Sequence, residues 1–155
     1  MSSNAERRLA GLGITLSAPP TPAANYVPYV TIGDLVFVSG QLPMQAGGLI
    51  QGRLGENMDV KAGAAAAKVC AINLITQVKA ACTGDLDRLV QVVKLTGFVN
   101  STPDFTDQPK VINGASDFLV AFLGDAGRHS RSAISAAALP LGVPVEIEGI
   151  FQIKT

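Results

Sequence analysis

Apolar positions along this chain recur in two periods, and the switches between them mark out the elements. Tyr26–Ile32 and Leu35–Ser39 are rich in β-branched and aromatic residues and flank Gly33-Asp34, which reads as a hairpin. Gly40-Gln41-Leu42-Pro43 is expected to stop the second strand. The Gly-rich stretch 46–55 is expected to be a loop, with a short strand at Leu49–Gln51. From Asp59 the period lengthens. Ala64, Ala67, Val69, Cys70, Ile72, Leu74, Ile75 and Val78 recur at helical spacing. A helix is therefore predicted from Val60 to about Cys82, with Asp59 as its cap and Gly84 as its stop. Leu89–Asn100 returns to a strand pattern, Pro109–Leu123 reads as a second helix, and Ser130–Ala136 and Val145–Lys154 are two further strands. Ahead of all these, Ser2, Ser3 and Asn4 offer caps for a short helix over Ala5–Ala10, and Pro19-Pro20-Thr21-Pro22 forms an extended linker. Residues 1–24 thus read as an extension and residues 25–155 as the domain proper.

The order ββ(β)αβαββ predicts an α+β domain of two layers, one mixed β-sheet with two helices on one face. Its other face must be covered or polar, and Phe37, Val93, Leu95 and Ile147 are candidates to line it. A bare apolar sheet face is a natural interface between subunits.

Composition supports a packed core. Of the 155 residues, 48% are hydrophobic and only 15% charged, the opposite of a disordered chain. The formal net charge is zero, with Lys and Arg scattered, so nothing favours a nucleic-acid partner, whose phosphates call for a basic excess. Met1–Gly13 lacks the apolar stretch of a signal peptide, and no apolar run is long enough to span a membrane, so the cytoplasm is the expected location. Cys70 and Cys82 lie in an alanine-rich stretch at no metal-binding spacing and read as buried, reduced thiols. With a single histidine, His129, a protein-built metal site is not expected. No phosphate loop is present and no nucleotide fingerprint follows a strand.

Three segments place polar groups on strands or strand ends. Arg131 stands in an otherwise small and apolar strand, where its planar fork suits bidentate binding of a carboxylate, or a structural salt bridge. Alternation puts Arg131, Ala133 and Ser135 on one face. By the same rule Glu146 and Glu148 share a face of the last strand. Neighbouring carboxylates raise one another's pKa, which suits acid–base work; the alternative is a solvated face with one glutamate paired to Arg131. Ser39 ends an apolar strand beside Gly40, where backbone can approach a ligand closely, or it simply bonds its own turn. His129 reads as a loop residue or the rim of a site, and Asn113–Asp117 as a polar helical stripe with a structural role.

At these residues the chain resembles the RidA/YjgF family. Val38-Ser39-Gly40-Gln41-Leu42-Pro43 is similar to one family segment. Arg131-Ser132-Ala133-Ile134, then Leu139-Pro140, then Val145-Glu146-Ile147-Glu148-Gly149-Ile150 is similar to its closing signature. The resemblance covers roughly Tyr26 to Ile153 and points to a longer sub-branch. It implies a chorismate-mutase-like fold and a homotrimer with sites in the clefts between subunits. It implies cofactor-free hydrolysis of 2-imino or 2-enamino acids to 2-keto acids and ammonia. Arg131 then matches the arginine that clamps the substrate carboxylate, and Glu146 the glutamate that holds or activates water. Ser39 and Gly40 match the cleft segment. Tyr26 matches the cleft tyrosine by spacing, while Pro28-Tyr29-Val30 matches its local run. Ala133 stands where many members carry cysteine, which excludes a thiol mechanism at that position. The alternative function on the same fold is a non-catalytic protein that binds small carboxylate metabolites or acts as a regulatory module.

Overall fold

A computed structural model describes residues 1–22 and 24–155. A helix α1 (Asn4–Gly11) opens the chain. It is followed by a hairpin of β1 (Tyr29–Ile32) and β2 (Leu35–Gln41) and a two-residue ribbon of β3 (Met44–Gln45) and β4 (Gly48–Leu49). Then come α2 (Val60–Ala81), β5 (Leu89–Asn100), α3 (Gln108–Leu123), β6 (Ser130–Ala136) and β7 (Val145–Ile153). Five strands form one mixed sheet in the order β1-β2-β7-β5-β6. Only β5 and β6 run parallel, and α3 makes the crossover that a parallel pair requires.

The local chemistry explains the boundaries. Asp59 accepts a hydrogen bond from Ala62 N at 2.8 Å and starts α2. Gly33 turns the β1–β2 hairpin at φ +60°, a conformation that favours glycine. Helices α2 and α3 cover one face of the sheet, and the core lies between the layers. Leu74 and Ile75 of α2, Leu119 of α3, Leu95 of β5 and Ile147 and Phe151 of β7 are all fully buried. The helices touch so closely at Gly114 that an added Cβ would lie 1.9 Å from the carbonyl oxygen of Ala64.

Helix α1 is fixed by its own cap, by polar contacts to Asp87 and Lys79, and by side chains set on the core. Ser3 and Glu6 form a capping box. Asp87 accepts from Asn4 N at 3.0 Å and Ala5 N at 2.8 Å, and Glu6 pairs with Lys79 of α2. Leu9 is buried in the common core, and Arg8 lies over the Phe122 ring.

The helix-free face differs in part from expectation. Phe37 is exposed on it and Val93 is half-buried at a bulge, but Leu95 and Ile147 point into the core. A bulge between Val92 and Lys94 reverses the alternation along β5, so Val92 and Leu95 both face the helices. Ile147 lies between Glu146 and Glu148, so the face that takes the carboxylates leaves Ile147 to the core. The expected short strand at Leu49–Gln51 is instead the β3–β4 ribbon, and β2 runs on through Gly40 to Gln41.

Candidate active site

Strand β2 slips past β7 between Val38 and Gln41: Val38 pairs with Gly149, yet Gln41 pairs with Ile147. The slack falls on Ser39-Gly40, which bulges from the ladder. Ser39 N donates to Pro28 O at 2.9 Å, and its hydroxyl donates to Val27 O at 2.8 Å. That ties the bulge to the segment carrying Tyr26. Gly40 is the seat of Glu146: a Cβ there would lie 2.7 Å from Glu146 Oε2. Only glycine leaves the carboxylate room to lie flat against the backbone. Burial pushes the Glu146 carboxyl above its ordinary range, and the charge of Glu148 on the same face adds to the effect. Tyr26, half exposed, lines a cavity with Gly40.

Arg131 lies elsewhere, on the edge strand β6. Its Nη1 donates to Ser116 Oγ at 3.0 Å and its Nη2 to Pro109 O at 3.1 Å, both on α3. Ser116 Oγ is also 2.9 Å from His129 Nε2, whose Nδ1 is 2.6 Å from Gly127 O. The chain of bonds has one consistent polarity. Gly127 O can only accept, so Nδ1 carries the proton; Nε2 then accepts from Ser116, and Ser116 accepts from Arg131. Burial lowers the His129 pKa, and the Arg131 charge lowers it further against the opposing Gly127 hydrogen bond, which agrees with a neutral ring. Ala133 pairs with Gly97 and packs partly against the core.

The two candidate clusters do not meet within one chain. Arg131 stands beside Leu95 in register and so shares the helix-covered face of the sheet. Glu146 projects from the other face, and β5 separates the two strands. Among the described residues Arg131 makes no ion pair with either glutamate or any other carboxylate, which removes the structural salt bridge. Ser116 and His129 as partners of Arg131 were not foreseen in detail. The signal available was a polar helical stripe and a lone histidine just before the arginine.

Cys70 and Cys82 are both free and buried, and burial raises both thiols. Among the described residues no group of His, Cys, Asp and Glu is arranged to hold a metal ion, and no helix is long and apolar enough to cross a membrane.

Comparison with known proteins places this geometry in a family. A family model described as "YjgF/chorismate_mutase-like, putative endoribonuclease" matches residues 6–147. The chain is 46% identical over 155 residues to Protein TCP17 of Trypanosoma cruzi, covering 99% of this chain and 96% of that protein. It is 47% identical to a crystal structure of a protein of unknown function from Agrobacterium tumefaciens, covering 97% and 94% of the two chains with a TM-score of 0.89. A more distant structure, E. coli TdcF with bound serine, is 26% identical, with 89% and 94% covered and a TM-score of 0.61. The two sequence segments around Ser39-Gly40 and Arg131–Glu146, the mixed sheet under two helices and these matches agree: this chain belongs to the YjgF/chorismate-mutase-like family.

Proposed function

We propose that this protein hydrolyses small 2-imino or 2-enamino acids to 2-keto acids and ammonia, without a cofactor, in clefts between the subunits of a homotrimer. The observation that carries the reading is the separation of Arg131 and Glu146. A carboxylate clamp and a water-activating base on opposite faces of one sheet can act together only if one comes from a neighbouring copy. The helix-free face supplies a surface for that neighbour, with Val30, Phe37 and Ile134 all exposed on it. Serine bound to TdcF, a relative of the same fold, supports an amino-acid-sized ligand.

The chemistry needs little machinery. Arg131 holds the substrate carboxylate with its free N–H groups, while Ser116 and Pro109 O fix the guanidinium. An enamine first takes a proton at carbon to become the imine. Glu146, lying against Gly40, orients a water and accepts one of its protons as the oxygen adds to the imine carbon. From the protonated imine, that proton passes to nitrogen, the new hydroxyl gives its own proton to Glu146 as the C–N bond breaks, and ammonia leaves a 2-keto acid behind. A carboxyl with a raised pKa is a better base than an ordinary one. Ala133 offers no nucleophile, and this route uses none.

Zero net charge disfavours the ribonuclease in the family's description. A purely binding role is the second reading, and the absent thiol at Ala133 is what favours it. Ammonia release from freshly generated 2-iminopropionate, beside the Arg131→Ala variant, separates the two. The deaminase reading expects release well above the uncatalysed rate and a loss of at least about 100-fold in kcat/KM in the variant. Uncatalysed rates in both, with the substrate carboxylate still bound, would leave the binder.

A further inference from the structure

The segment before β1 adds a feature beside Gly40 that the proposed chemistry does not use. Pro20 and Pro22 lie over a half-open cavity of about 140 Å³ walled by Tyr26, Leu42 and Met44 and reaching Gly40. Gln77 of α2 stands in its wall, almost fully buried, and ties the proline segment down by donating from Nε2 to Pro20 O at 3.5 Å. Its Oε1 has no partner. A buried amide oxygen without a donor is uncommon in a finished core and more at home beside a ligand space. The cavity carries no ionised side chain, so it does not suit a carboxylate. An apolar cavity of about 150 Å³ is large enough for benzene.

We propose that this cavity is the side-chain subsite of the same cleft, and that its occupant is the aromatic or branched aliphatic side chain of a bulky 2-imino acid. The proposal rests on the deaminase reading for its reacting atoms. Glu146 Oε2 stands on one side of the Gly40 backbone position and the cavity opens beside it. An imine carbon placed for attack by water held on Glu146 has two other substituents. The carboxylate goes to Arg131 of the neighbouring copy. The remaining carbon substituent passes Gly40 into the space between Tyr26, Leu42 and Met44. The proline segment therefore sets specificity: its φ angles are fixed by the rings, so the wall is formed before the ligand arrives.

The test compares imino acids generated in place from phenylalanine and from alanine, together with binding of phenylpyruvate and pyruvate to the full-length protein. Binding is followed by isothermal titration calorimetry, which reads the wild type and a tryptophan-bearing variant alike. The expected results are a kcat/KM at least about tenfold higher for the phenylalanine-derived imine, and phenylpyruvate binding at least about tenfold tighter than pyruvate. Met44→Trp, at a half-exposed wall position, should erase most of both preferences. Turnover of both imines with no preference for the larger would overturn the subsite and leave the deaminase reading standing. No turnover of either imine would overturn the deaminase reading. The keto-acid pair then decides the cavity alone: equal binding, or a preference untouched by Met44→Trp, overturns it.

Discussion

Gly114 and Gly40 are both glycines with no room for a Cβ, yet they belong to opposite faces of the sheet and to different kinds of constraint. At Gly114 the obstacle is the backbone carbonyl of Ala64, on a helix locked into the core. At Gly40 it is the carboxylate of Glu146, the far end of a flexible side chain. The helix-covered face is specified by packing, and its crowded contacts cannot yield. The other face leaves apolar side chains and two glutamates uncovered in the single chain, and its crowded contact places the carboxylate proposed to activate water. Packing thus governs one face and Glu146 occupies the other, while Arg131 stands on the packed face at the edge strand β6.

The sharpest break in that contrast is Gly114→Ala. Two helices would have to separate, so a loss of about 3 kcal/mol in urea unfolding is expected. Gly40→Ala should behave in the opposite way. The glutamate swings aside, unfolding changes by less than about 1 kcal/mol, and kcat for imine hydrolysis falls at least about tenfold.

The pH dependence sharpens the comparison from the Arg131 side. His129 has a lowered pKa in the fold, so the unfolded chain takes up its proton first as pH falls below about 6.5. Its contribution to stability is present above that pH and is lost as pH falls through the folded value. Protonated Nε2 would donate to Ser116, reversing that bond, and would set a second positive charge beside the Arg131 guanidinium. KM should therefore rise several-fold on acidification with kcat less affected, and His129→Gln should remove the KM effect. Glu146 works with the opposite sign. Its raised pKa favours the protonated form, so its contribution to stability is present at acid pH and lost as pH rises through the folded value. The smallest effect is expected at Asp87→Asn. Hydrogen exchange should quicken at Asn4 and Ala5 while the sheet amides stay protected.

Much of the scaffold was legible in the sequence because each long element keeps one period. The boundaries of α2, β5, α3 and β6 fall within a residue of those predicted. Face assignment in β5 failed because one extra residue at Val93 reverses the alternation, and no residue type announces such a bulge. The candidate residues were legible as chemistry, but their separation was not. Alternation places each side chain relative to its own strand, and only the strand order shows that Arg131 and Glu146 face apart. The Ser116–His129 support of Arg131 joins a helix to a loop through a turn, a contact that periodicity does not encode.

The central claim, one site built by two copies, is tested most directly by mixing two inactive variants. Arg131→Ala and Glu146→Gln, refolded together in equal amounts, should form hybrids of the proposed trimer. In a cyclic trimer each hybrid retains one site with both native residues, so the mixture should recover about a quarter of wild-type activity. Activity that stays at the level of the separate variants, with hybrid trimers demonstrably formed, would contradict the account.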